Sequence, residues 1–292
     1  MAVFSVSTHP EGRYVVSSDG VKIWADATGD PSKPPVVFIH GLSCTALVFD
    51  DLFSNPELTE NLYMIRYELR GHGRSDHVDG IEAYDSKKYA DDHMEVLKSF
   101  GLNKAFIFGW SLGATIVVDV VEAYGTEPIA GVILCGGPVI TKDLHDTYIH
   151  PWMAANVEPL FKTDGRQLPK SAIEFVDSCV KDPSTIPFQK KAAWAGGFLM
   201  QSPTIRMHTW QRYQPVKRWE KEIQNVPAIL IQGLDDTHAE GRGCIECAKK
   251  YYGDTLEVVA LENVGHAPFF ESADVCNREM LQFVLKHADK AR

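Results

Sequence analysis

The chain has 292 residues, 45% of them hydrophobic, enough for one large α/β domain or a domain carrying an insertion. Its net charge of −10 comes without any long acidic or basic run, which argues against nucleic acid or an anionic membrane surface as the main partner. No segment is apolar over the length a bilayer span requires, and the six cysteines lie scattered, which suits reduced thiols better than a disulfide framework.

Residues 1–13 lack the apolar stretch of a secretory leader and no Asn-x-Ser/Thr acceptor follows, so a cytoplasmic protein is expected. Strand-like runs at 14–17 and 21–25, split by Ser18-Asp19-Gly20, predict a β-hairpin. Pro34-Pro35 precedes the apolar run 36–39, fit for a fully buried parallel strand, and 62–67 gives another. A loop rich in glycine and charge covers 71–76, and 82–100 reads as a helix with Tyr89, His93, Val96, Leu97 and Phe100 on one side.

Next comes Phe106-Ile107-Phe108-Gly109-Trp110-Ser111-Leu112-Gly113, an apolar strand running into a Gly-x-Ser-x-Gly pentad. Ile116, Val117, Val120, Val121 and Tyr124 then recur at helical spacing, and Gly125 supplies a stop. A strand, a bent small-residue turn and a helix in that order can hold a serine strained and exposed at the carboxyl edge of a sheet. A serine that merely caps a helix would look the same over the pentad alone.

Strands are expected at 132–135, 228–232 and 256–260, with a final helix over about 274–287. Short strands alternating with helices signal a mostly parallel central sheet flanked by helices. Between 139 and 222 the alternation stops, and helical fragments and aromatics replace it, with Trp152, Trp194, Trp210 and Trp219 among them. We therefore expect a core of residues 1–138 and 223–292 with a helical cap inserted at 139–222. Trp110, Trp152, Met153, Trp194 and Phe198 are candidates for its pocket. Cys244 and Cys247 form a Cys-x-x-Cys without a second zinc-spaced pair, so they are expected to line a helix face, and no metal site is expected.

A serine nucleophile needs a base, and the base needs an orienting group. His266 follows the last expected strand in Gly265-His266-Ala267-Pro268, on the same edge as Ser111. Asp235 and Asp236 end the strand before it, where one carboxylate could hold the imidazole and the other cap a turn. The Leu112 N–H, at the start of the helix after the nucleophile, and the Leu42 N–H, in the turn His40-Gly41-Leu42-Ser43, are the candidate oxyanion donors. His40 leads into that turn and is expected to shape it.

With these elements in order, the chain resembles the α/β-hydrolase-fold enzymes, in particular capped serine hydrolases of esterase or lactonase type. The resemblance rests on His40-Gly41, Arg70-Gly71-His72-Gly73-Arg74-Ser75-Asp76, the pentad 109–113, Gly233-Leu234-Asp235-Asp236 and Gly265-His266. It implies the α/β-hydrolase fold with an inserted helical cap. In the family the acid sits three residues after the glycine of its strand, which selects Asp236. The loop 70–76 then corresponds to a structural turn, leaving Arg70, His72 and Asp76 without a catalytic role. Trp110 departs from the small or polar residues frequent before the nucleophile, and it could narrow the pocket or pack beneath the helix. Serine as nucleophile argues against the aspartate-using epoxide and haloalkane hydrolases, and the oxyanion turn lacks the three-glycine run of one lipase branch.

The function expected is cofactor-independent hydrolysis of a small or medium apolar ester or lactone on Ser111, Asp236 and His266. The same triad would serve a C–C bond hydrolase or lyase, and the scaffold would serve a small-ligand receptor, because function lives in pocket detail. The partner expected is a small-molecule substrate. Oligomeric state is not legible.

Overall fold

The computed structural model describes residues 12–137, 140, 147–161 and 166–291. Eight strands among them form one sheet: β1 (Arg13–Val16), β2 (Lys22–Gly29), β3 (Pro35–Ile39), β4 (Tyr63–Tyr67), β5 (Ala105–Trp110), β6 (Ile129–Cys135), β7 (Ala228–Gly233) and β8 (Leu256–Leu261). Their spatial order is β1-β2-β4-β3-β5-β6-β7-β8. β2 runs antiparallel to β1 and β4, and every other pairing is parallel. This is the mostly parallel sheet expected from the sequence.

Four helices precede β6: α1 (Asp50–Phe53), α2 (Pro56–Asn61), α3 (Ser86–Ser99) and α4 (Ile116–Tyr124). Between β6 and β7 lie α5 (Pro151–Leu160), α6 (Leu168–Ser178), α7 (Phe188–Met200), α8 (Pro203–Gln211) and the short α9 (Trp219–Glu222). The chain ends with α10 (Gly241–Tyr252), α11 (Pro268–Glu271) and α12 (Ala273–Lys286).

β3 to β7 are buried at every position, which is why most of them read as apolar runs; Arg66 interrupts β4, where it pairs with Asp26. Alternate residues divide between two layers. Val37, Ile39, Ile107, Val132 and Leu230 meet Val96, Val117 and Tyr252 of α3, α4 and α10. Val36, Phe38, Phe108, Ile133 and Ile231 meet Phe53, Met280 and Phe283 of α1 and α12. Cys244 and Cys247 belong to the first layer, and all six cysteines are buried and outside any disulfide.

The helix expected over 82–100 is shorter. Asp85 is extended, at φ −62° and ψ 147°, so a separate 3₁₀ turn, Ile81–Tyr84, precedes α3. The insertion helices start where local chemistry allows. Pro151 and Pro203 occupy first turns, where the missing N–H costs nothing, and Ser202 accepts from the Ile205 N–H at 3.2 Å. The boundary expected at 138–139 lies outside the described residues. Near the other end, Trp219, grouped with the insertion on composition, packs instead on Tyr251 and Tyr252 of α10, with ring centroids 4.7 and 6.1 Å away.

The stretch after α8 is pinned to α4 and to Thr115, just before it. Arg212 donates to Asp119 of α4 at 2.7 Å and to the Thr115 hydroxyl at 2.8 Å, and Gln214 donates to the Thr115 carbonyl at 2.8 Å. All of these groups are buried, so removing one partner would strand a charge or a donor.

One core residue makes the fold acid-sensitive. His93 of α3 is fully buried and neither ring nitrogen has a hydrogen-bond partner among the described residues. Burial lowers its pKa from 6.5 to about 4. Below pH 6.5 the unfolded chain therefore binds a proton that the folded chain refuses, so stability intact above that pH is lost as pH falls to about 4. The shift corresponds to about 3 kcal/mol over that window. His93→Leu should lose about 2–3 kcal/mol less between pH 7 and pH 4 than the unmodified chain in denaturant titrations. Equal losses would refute the assignment.

Candidate active site

At the turn after β5 the chain passes very close to itself. Ser111 has φ 53°, a left-handed conformation unusual for a residue with a Cβ, and leads through a 3₁₀ turn, Ser111–Thr115, into α4. A Cβ on Gly113 would stand 2.1 Å from the Ile39 carbonyl oxygen, and one on Gly109 would stand 2.3 Å from the Ala114 Cα. Both pentad glycines are therefore required by contact between strand and helix. The other non-glycine residues with positive φ among the described residues, Ser43 after β3 and Asn263 after β8, lie at the same carboxyl edge. Backbone strain is thus concentrated where the candidate site residues are.

Asp236 follows β7 and is buried. Its Oδ2 lies 2.8 Å from His266 Nδ1 and accepts from the Gln232 amide at 3.0 Å. Its Oδ1 accepts from the backbone N–H groups of His238 at 2.7 Å and Ala239 at 3.1 Å. Burial would raise the carboxyl pKa, but the adjacent His266 and His238 and these donors outweigh it and hold it below the usual carboxylate range. Asp235, in contrast, is half exposed, accepts from the Asn263 N–H at 2.9 Å and pairs with Lys181 at 3.2 Å. Of the two carboxylates, Asp236 is the one that meets His266.

His238 is a neighbour that sequence reasoning missed. Its ring centroid lies 4.1 Å from that of His266, and its Nε2 is 2.7 Å from the Ser178 hydroxyl. Burial, reinforced by repulsion from His266, keeps its pKa well below 6.5, so it is neutral near pH 7. The signal was the spacing Asp236-Thr237-His238, which puts the imidazole on the turn that wraps the acid.

His40 shapes the turn after β3, as expected. Its Nε2 accepts from the Leu69 N–H at 3.1 Å, which leaves Nδ1 to donate to the Gly41 carbonyl at 2.8 Å. Burial lowers its pKa, consistent with this neutral form. A Cβ on Gly41 would lie 3.2 Å from the Ser111 Cβ, so this turn rests directly against the pentad serine. Leu42 follows in that turn, and Leu112 stands second in the 3₁₀ turn, before any intrahelical acceptor for its N–H. In the loop 70–76, Arg70 is bound by Asp92 at 2.7 Å and Asp19 at 3.0 Å, and Asp76 accepts from the Lys22 N–H at 2.8 Å.

A small cavity, of about 20 Å³, brings several of these groups together. Ser111, His266 and His238 form its polar wall; Leu42, Met153, Leu160, Phe175 and Trp210 form most of the rest. Of the five aromatic or methionine candidates, Met153 reaches this wall, and the other four are used elsewhere. Trp110 packs beneath: its indole N–H donates to the His266 carbonyl at 2.8 Å, and its ring lies against Phe269 and Trp194, with centroids 5.0 and 6.1 Å away. Trp194 is held in that same stack. Phe198 covers Arg206 and Phe175. Trp152 lines a separate outer groove with Asn156 and Ser178. Leu160, Phe175 and Trp210 came to the wall through helix packing that local sequence does not encode. Among the described residues no group of three or more His, Cys, Asp or Glu is placed to hold a metal, and no helix is long and apolar enough to cross a membrane.

Residues 36–279 match the alpha/beta hydrolase family. A solved chain from Burkholderia cenocepacia, described as an aryl esterase, superposes with a TM-score of 0.86 at 25% identity, covering 95% of this chain and 99% of that one. The esterase RhEst1 from Rhodococcus sp. ECU1013 superposes with a TM-score of 0.80 at 23% identity over 94% of this chain and 98% of its own, a likeness of fold. Rhodomycin D methylesterase DnrP of Streptomyces peucetius is 31% identical over 103 residues, 35% of each chain. That match spans about a third of the curated relative.

Trp110→Phe keeps the ring in the stack and removes its N–H. The His266 carbonyl then loses a buried donor, and stability should fall by about 1–2 kcal/mol in denaturant titrations. Unchanged stability would mean that the bond carries no weight.

Proposed function

The chain belongs to the alpha/beta hydrolase family, and from that premise we propose that it hydrolyses a small or medium apolar carboxylic ester or lactone through an acyl-enzyme on Ser111. The observation that carries this reading is the 2.8 Å contact between Asp236 Oδ2 and His266 Nδ1 beside a cavity that Ser111 also lines. With Nδ1–H donated to the carboxylate, Nε2 is the nitrogen left to act as base.

In this mechanism the Ser111 Oγ attacks the ester carbonyl carbon while His266 Nε2 takes its proton. The oxyanion is received by the N–H groups of Leu42 and Leu112, where each preorganised donor is worth roughly 3 kcal/mol in the transition state. Collapse breaks the bond to the leaving oxygen, which takes that proton from His266. Water then attacks the acyl carbon as His266 takes its proton, and the second collapse releases the acid while His266 returns the proton to Ser111 Oγ. Asp236 stays ionised throughout, because its remaining lone pairs are met by Gln232, His238 and Ala239. Its fixed charge orients the imidazole and stabilises the imidazolium.

The walls support an apolar substrate of modest size. The insertion between β6 and β7 acts as a cap in this reading: α5, α6 and α8 supply Met153, Leu160, Phe175 and Trp210. The aryl-esterase and methylesterase relatives agree with ester cleavage.

Labelling with a fluorophosphonate, read by intact mass and peptide mapping, is expected to give one adduct on Ser111 that Ser111→Ala abolishes. Asp236→Asn should fold normally and lower kcat on a p-nitrophenyl ester by about 10³- to 10⁴-fold. A folded wild-type chain that takes no adduct would overturn the activated serine and favour a ligand receptor on the same scaffold.

A further inference from the structure

Four arginines of this chain are buried, and three of them are neutralised by carboxylates. Arg66 pairs with Asp26 and Asp50, Arg70 with Asp92 and Asp19, and Arg212 with Asp119. Arg206 of α8 is fully buried and has no ion pair among the described residues. Its guanidinium is satisfied by neutral acceptors alone. Nε donates to the Ser43 hydroxyl at 2.7 Å, Nη1 to the Leu160 carbonyl, and Nη2 to the carbonyls of Phe198 at 2.6 Å and Gln201 at 3.1 Å. The plane lies over the Phe198 ring, 3.6 Å from its centroid. A desolvated cation without a counter-charge is an expensive arrangement.

The groups it touches indicate what the expense serves. Ser43 directly follows Leu42 in the turn after β3 and has φ 57°. Its hydroxyl accepts from Arg206 and donates to the Gln201 side chain at 2.7 Å. The Gln201 amide continues to His72 Nε2 at 2.9 Å, and the His72 ring lies 5.1 Å from that of His40, whose Nδ1 holds the Gly41 carbonyl. Gly197 of α7 lets this end of the insertion sit on the same turn: a Cβ there would lie 3.1 Å from the Thr45 Cγ2 and 3.3 Å from the Ser43 carbonyl oxygen. Leu160, the other acceptor of Arg206, is a wall residue of the cavity.

We propose that Arg206 is a positioning residue for the oxyanion turn: through Ser43 it fixes the left-handed bend that aims the Leu42 N–H, and its charge is answered by the oxyanion that forms during hydrolysis. The assignment rests on the ester-hydrolysis reading above. The negative charge missing at rest arrives in the tetrahedral intermediate, so the guanidinium stabilises that state more than the bound ester. Burial lowers its pKa to about 10, which leaves it charged at neutral pH. Because the arginine belongs to α8, an assembled turn also requires that the insertion be seated.

The test compares wild type with Arg206→Met and Ser43→Ala, using p-nitrophenyl acetate turnover, the rate of fluorophosphonate labelling and thermal melting. Arg206→Met is expected to lower kcat about 10- to 100-fold with KM within about twofold, and to slow labelling in parallel. Ser43→Ala removes the junction while the guanidinium keeps its acceptors on Leu160, Phe198 and Gln201. It should stay folded and lower kcat in the same direction by about tenfold. Unchanged kcat in a folded Ser43→Ala, or a loss confined to KM in Arg206→Met, would overturn the assignment while leaving the hydrolase reading intact. A wild-type chain that neither labels nor turns over would overturn both.

Discussion

The site depends on how closely β5 and the helix after it can pass β3. With a Cβ excluded at Gly113 by the Ile39 carbonyl and at Gly109 by Ala114, the backbone folds back sharply enough to put Ser111 at φ 53°. The same closeness sets Gly41 against the Ser111 side chain, so the turn after β3 and the pentad form one packed unit. Everything else at that edge is arranged around this unit: the carboxylate–imidazole pair from β7 and β8 on one side, the insertion helices above. A wider turn would lower the strain and at the same time separate the serine from the turn that is proposed to receive the oxyanion.

Charge is placed with equal economy. Asp236 is buried yet remains acidic because four donors converge on its two oxygens, one of them the imidazole it orients. His238 and His40 are buried and neutral, each fixed by bonds that settle its tautomer or its orientation. Asp236 is thus an anion with the neutral His238 beside its imidazole partner, while the neutral His40 holds the turn after β3 and Arg206 has no ion pair among the described residues.

Much of this was legible in the sequence, for a physical reason. Strands buried on both faces must be apolar throughout, so 36–39, 106–108, 132–135 and 228–231 announced themselves. Candidate site residues at the ends of such strands inherit their order, which is why Ser111, Asp236 and His266 could be nominated, and the structure brings Asp236 to His266. What stayed hidden depends on packing between distant segments. Nothing local to Arg206 says that it will be denied a carboxylate, and nothing local to Phe175 says that it will reach the cavity rather than the layer beneath. Trp110 is the instructive middle case: its position beside the nucleophile was visible, but its role is decided by an acceptor 156 residues away.

That indole bond also constrains how the chain can vary. Trp110 holds the carbonyl of His266, and its ring packs against both Trp194 and Phe269. Exchanging Trp110 for a small or polar side chain would at once open a void under the site and free the loop bearing His266. Such a change becomes tolerable only together with a larger group at 269 and a new donor for that carbonyl. Positions 110, 194, 266 and 269 thus form a single mutational unit, and a lineage reshaping this pocket would find single steps at the floor closed and the insertion's outer wall open.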